Sequence, residues 1–260
     1  MATDETKQPE LKEAPAAKAK DEEPWYKKPP TLISIVALCF SLGTTAFSAY
    51  NSRQEDIRSN RRDVRAILQR LSKLPIENYE LMQKNKGSGQ GEALSGMLNQ
   101  ENILLSTQAA ELIGRYPDSF TSTEYFAAAY SLASSNIMGK VPAMFRRAMD
   151  SATTSNDFNV AARAFAGYMY SKGQREEGKR LFEEAMRVWD KFPEPNAYLV
   201  NSFDLITLLY WGQAEFSSGH VVEAKGHIAE ARKRLAAMPP GPYTDGLKNQ
   251  LDFGAQYIER

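Results

Sequence analysis

Two histidines, one cysteine and a glycine-rich run are the residues of this chain whose types and spacing suggest chemistry. The histidines sit in a small duplication, Gly219-His220-Val221-Val222-Glu223-Ala224 and Gly226-His227-Ile228-Ala229-Glu230-Ala231. A seven-residue interval on a helix puts two imidazoles and two carboxylates on one face, the donor set of a weak metal site. The one-turn histidine spacing of HExxH is absent, and the surface of a solvated helix explains the same pattern. The segment from Lys84 to Gly96, KNKGSGQGEALSG, places lysines before alternating glycines. A phosphate cradle needs its Lys after the glycines, followed by Ser or Thr, between a strand and a helix. A flexible linker or mobile loop is the reading that remains. Cys39 lies in an apolar run, where it is most simply a small apolar residue, and a single Cys allows neither an intrachain disulfide nor a thiolate zinc cage. No Ser, Thr or Cys has a nucleophile context such as GxSxG. These residues predict no catalytic residue, no metal site and no cofactor, and a chain that is not an enzyme.

The elements that must position such residues divide by composition. Over 260 residues, 32 basic and 32 acidic side chains cancel, which argues against a general nucleic-acid binder. Residues 1–30 are rich in Ala, Pro, Lys and acidic residues, with Leu11 as the one larger aliphatic, and predict a disordered tail. Thr31 to Tyr50 is an uncharged run of twenty residues. As a helix it extends about 30 Å, the thickness of a bilayer's hydrocarbon core. Trp25, Tyr26 and Tyr50 stand where an interfacial aromatic belt belongs, and Lys27 and Lys28 can reach head groups. The run therefore reads as a transmembrane helix of a single-pass protein, with a bacterial inner (cell) membrane as the expected compartment. Basic residues nearly balance on its two flanks, four Lys in 16–30 against five Arg in 51–65, so the side of the carboxy-terminal domain stays open.

Residues 51–75 repeat with a period of seven, Ile57, Val64 and Leu71 alternating with Asn60, Ile67 and Leu74. That is a helical stalk with a narrow apolar seam. It pairs either with a second copy as a short coiled coil, making a homo-oligomer, or with its own domain or the membrane surface. Pro75 is expected to end it. Residues 76–96 read as a linker, and residues 97–260 as a domain of helices only, without alternating strand patterns. The expected pairs are Thr123–Asn136 with Lys140–Thr153 across Gly139, Asn159–Lys172 with Arg175–Asp190 across Gly173, and Tyr198–Ser218 with Val221–Ala237 across Gly219. Helix Met97–Tyr116 precedes them and helix Thr244–Ile258 follows.

The pairs share a pattern, Ala129…Phe145…Ala148, then Ala166…Phe182…Ala185, then Gly212…Ile228…Ala231. In each, the small residue lies 16 before the aromatic or branched one. Small residues let two backbones approach while the bulky residue fills the space between successive pairs. This arrangement resembles the tetratricopeptide repeat family over roughly residues 122–237, in degenerate form. Equivalent residues recur after 37 and then 46 positions where the family keeps to 34, and Glu215 holds a usually apolar place. The resemblance implies an all-α, TPR-like α-solenoid with a concave groove that binds segments of other proteins. Carried onto this chain, groove-facing positions fall at Phe126, Tyr130, Arg163, Tyr170, Gln213 and Phe216. The expected function is a membrane-anchored scaffold or adaptor that binds another protein without catalysis and does not bind nucleic acid. The alternative is a structural subunit that self-associates through its stalk in a larger membrane complex. A third, enzymatic reading would use the two-histidine helix.

Overall fold

The structure, a computed structural model, describes residues 29–85, 89–194 and 196–259. The expected tail, with Trp25 and Tyr26, lies outside the described residues. Ten α-helices and no strand occur among those described: α1 (Pro29–Lys84), α2 (Gly89–Arg115), α3 (Ser122–Ser134), α4 (Val141–Asp150), α5 (Ser155–Ser171), α6 (Arg175–Met186), α7 (Val188–Lys191), α8 (Ala197–Ser217), α9 (Val221–Ala236) and α10 (Pro242–Ala255). The fold is all-α. It forms two compact units that divide between Glu55 and Asp56.

In the first unit, the described side chains from Ile33 to Tyr50 are all exposed, and Phe40 and Ile33 keep 75% and 69% of their surface. Among the described residues, α1 is the one helix long and apolar enough to cross a membrane. Two of its hydroxyls turn inward to the backbone, Thr44 and Thr45 donating to the Ser41 carbonyl at 2.9 and 2.8 Å. That pairing removes the cost of carrying unsatisfied polar groups into an apolar medium.

The second unit opens with the seam. Val64, Ile67, Leu71 and Leu74 are buried, the last three in a cluster with Ala109, Leu98, Leu105 and Leu112 of α2. Asn60, the polar seam residue, donates to the Leu112 carbonyl at 2.7 Å. The apolar stripe that a second copy would need is thus filled by α2 of the same chain. Pro75 does not end α1, which runs nine residues further to Lys84. Proline deletes one backbone hydrogen bond, but the turns on both sides are clamped. Leu74 is buried, and Arg70 reaches across the proline to Glu77 while gripping Glu101 of α2 through two bonds of 2.7 and 3.0 Å. Most of the expected linker is likewise helical, on either side of a short connection. Gly91 packs closely there, since a Cβ would meet Asn85 Cβ at 3.0 Å.

The remaining helices pack in antiparallel pairs. Ser122 at the start of α3 donates to the Ala148 carbonyl near the end of α4 at 2.7 Å, and Asn159 at the start of α5 donates to the Ala185 carbonyl of α6 at 3.1 Å. Three chain reversals share one geometry. Asn136, Gly173 and Gly219 adopt positive φ of 57°, 72° and 85°, and the next amide in each case bonds a carbonyl five residues back. These are left-handed helix caps, which explains glycine at two of them and Asn at the third. Gly139, the expected turn residue of the first pair, is not the one that reverses the chain. Thr121 with Glu124, Thr154 and Asn196 cap the starts of α3, α5 and α8.

Contacts between successive pairs recur as well. Phe145 of α4 stacks on Phe165 of α5 at 5.4 Å, and Phe182 of α6 stacks on Trp211 of α8 at 5.5 Å. The wider interval before the third pair is taken up by α7 and its connection. There Val188 is buried, Trp189 donates to Asp204 at 3.3 Å, and Phe192 lies against Phe158. Helix α10 and the turn after it close the unit by burying Leu247, Leu251, Ala255 and then Ile258 against α8 and α9, as their spacing predicts.

The buried seam makes a direct prediction. Leu71→Ala should lower the unfolding free energy by about 2–4 kcal/mol, because the cavity lies between two helices of one chain. Urea unfolding followed by circular dichroism checks this, and protein concentration should leave the midpoint unchanged.

Candidate functional site

Helical periodicity sets the site. Val160, Arg163, Ala164 and Gly167 follow the i, i+3, i+4, i+7 pattern on α5, and Tyr210, Gln213, Ala214 and Ser217 follow it on α8. Phe126 and Tyr130 stand one turn apart on α3. These faces line three depressions that share walls. The first lies between α1 and α3, with Leu68, Leu71 and Ser72 facing Phe126 and Tyr130. The second joins Phe126 and Tyr130 to Arg163 and Tyr210. The third continues from Gly167 and Tyr210 to Tyr170 and Gln213. Together they make a groove along the first helices of the three pairs. Gly167 keeps its floor open, since a Cβ there would meet nothing within 4 Å.

The structure brings together Phe126, Tyr130 and Arg163. Phe126 is half-buried, 6.0 Å from the Tyr130 ring and 6.2 Å from Phe145, while Tyr130 is exposed. The Arg163 guanidinium lies 5.5 Å from the centroid of the Tyr210 ring. Its Nη1 is buried without a hydrogen bond, and no carboxylate pairs with it among the described residues. Burial pushes this guanidinium down to about 10, still well above neutral pH, so the charge persists. Arg163 is the one charged side chain among the residues lining the three depressions.

Tyr170 and Gln213 line the third depression but are also bonded beneath it, and Phe216 lines none of the three. Gln213 lines the third depression, but its amide donates to the Gly254 carbonyl of α10 at 3.2 Å. Phe216 is half-buried against the cluster formed by α8, α9 and α10. Tyr170 is buried, and its hydroxyl donates to Glu215 at 2.7 Å and accepts from Trp211 at 3.1 Å. Its ring is held there because Gly178 has no side chain. A Cβ at 178 would come within 2.6 Å of Tyr170 Cε2 and 3.1 Å of the Ala166 carbonyl. Tyr210 and Gly167 are among the groove residues that sequence reasoning missed. Their signal was present, since both fall on the helical face that already carried Arg163 or Gln213.

Below the groove, Glu215 has no exposed surface and is fully engaged. Arg175 donates to it through Nε at 2.8 Å and Nη2 at 3.1 Å, beside the Tyr170 hydroxyl. Burial alone would raise this carboxyl, but the bonds from Arg175 and Tyr170 win and hold it below the ordinary carboxylate range. The arrangement is a joint between α6 and α8, with no proton to give at neutral pH. His227 stacks on Trp211 at 4.1 Å, and burial lowers its imidazole. It is spent on packing. No group of three or more potential metal ligands occurs among the described residues.

A group whose folded value is depressed stabilises the fold fully above its unfolded value and loses that effect as the pH falls through the folded one. The Glu215 joint should therefore be at full strength above the ordinary carboxylate value of 4.5 and weaken in stronger acid. Arg175→Ala should destabilise the chain clearly at pH 7, and the gap to the wild type should narrow as the pH is taken below 4.5, measured by urea unfolding across that range.

Comparison with protein-family models, with curated proteins and with solved structures finds no match to this chain.

Proposed function

We propose that this chain is a single-pass membrane protein whose helical domain binds a segment of another protein in the groove along α3, α5 and α8, with no catalysis of its own. The observation that carries the reading is the groove itself. It is continuous, lined by Phe126, Tyr130 and Tyr210 around one unpaired Arg163, and open along its floor at Gly167. Aromatic and Arg side chains are the types that anchor protein interfaces, since they bury much area and keep a polar handle. Recurrence of the small residue, the left-handed turn and the inter-pair aromatic stack supports a degenerate TPR-like solenoid, the architecture in which such grooves arise. The uncharged, exposed stretch of α1 supports the membrane anchor, a cell membrane being the compartment we favour. Pairing of the stalk between copies is the less favoured role, because its seam is buried against α2.

Gly167→Leu separates fold from function. The position is a helix interior with open space around it, so the domain should keep or gain up to about 1 kcal/mol of stability. The new side chain fills the groove floor. Affinity purification from native membranes should yield a stoichiometric partner with the wild type and lose it with this variant, and recovery that is equal for both would overturn the reading. The anchor has its own check in Cys39, the one thiol of the chain. It should resist a membrane-impermeant maleimide in intact membranes and react once detergent is added.

A further inference from the structure

We propose that the segment held in the groove presents a carboxylate to Arg163 beside apolar side chains, so that the partner is an acidic, apolar stretch of another polypeptide. The inference rests on the groove reading above and names its occupant. The walls are apolar or aromatic, and the residues lining them include no acidic side chain. One cation stands among them without an ion pair, its Nη1 buried and unbonded. Carrying an uncompensated guanidinium into a half-buried site is costly, and an incoming anion relieves that cost. The planar fork of arginine matches a carboxylate through two parallel hydrogen bonds, and the Tyr210 ring lies 5.5 Å from this guanidinium. A phosphate dianion would be half-neutralised by this single charge, so a carboxylate is the better match.

The test uses the full chain in detergent micelles and short synthetic peptides of apolar sequence. Each peptide is made in four forms, with Glu, Gln, Lys or phosphoserine at one central position, and binding is read by fluorescence anisotropy. The Glu form should bind about tenfold more tightly than the Gln form, with the Lys form weakest. Arg163→Gln should erase the preference for Glu and leave affinity for the Gln form in place, which also shows that the variant is folded. Arg163→Lys should restore part of the preference, and Tyr130→Ala should weaken the Glu and Gln forms alike. Equal binding of Glu and Gln forms to the wild type, or a preference that survives Arg163→Gln, overturns the inference and leaves groove binding standing. A phosphoserine form that outbinds Glu also overturns it. Absence of binding by every form removes the groove reading, and this inference with it.

Discussion

Two helix backbones can lie against each other only where no side chain holds them apart. At Gly212 a single added carbon would stand 3.0 Å from Ile228 Cδ1 and 3.2 Å from the Ala224 carbonyl. Ala129 and Ala166 hold the equivalent places in the other pairs, and both are fully buried. Close approach fixes where the second helix of each pair runs, and so where its large residue emerges. Phe145 and Phe182 then meet Phe165 and Trp211 on the following first helix. The groove is the outward side of the same constraint. The first helices are held at a spacing that leaves Phe126, Tyr130, Arg163 and Tyr210 around shared depressions instead of interlocked.

Buried polar groups give this packing its register. Ser122 and Asn159 each reach the carbonyl at the small residue of the partner helix, so that neither helix can slide without leaving a polar atom unpaired. Leu205 holds the equivalent place in the third pair and has no such bond to give. That pair is joined internally by Arg234 of α9 on Asp204 of α8 at 3.3 Å, and is fixed from outside by Arg175 on Glu215 and by Gln213 on the backbone of α10. At Asp204 burial pushes the carboxyl up despite the nearby Arg234 and Trp189, the reverse of Glu215, which has a two-pronged partner.

Helix periodicity and cap residues carried most of the architecture in readable form. The pairs, their small and bulky residues and the last helix fall where apolar spacing predicts. Non-local choices were not legible. Nothing in the heptads of residues 51–75 distinguishes α2 from a second copy as the partner of the seam. Pro75 is locally a stop signal, overridden by the buried Leu74 and by Arg70, which bonds Glu77 beyond the proline and Glu101 of α2. Asn136 replaces Gly at a left-handed position, which drew attention to Gly139 instead. For the groove, spacing located Phe126, Tyr130 and Arg163. It could not reveal that Tyr170 and Phe216 turn inward, because that depends on the absent side chain of Gly178 and on the arrival of α10.

The reversals at Gly173 and Gly219 leave no spare residues, since each closes by a bond from the following amide to a carbonyl five positions earlier and the next helix begins two residues after the glycine. Extra length there would tear a cap from its helix. Between α7 and α8 the chain already carries an additional stretch, anchored at Val188 and Trp189 and resumed at the Asn196 cap. A reporter or epitope spliced in near Pro193 would therefore extend a detour that the domain already accommodates, while the same splice at either of the tight reversals would prise a helical pair apart.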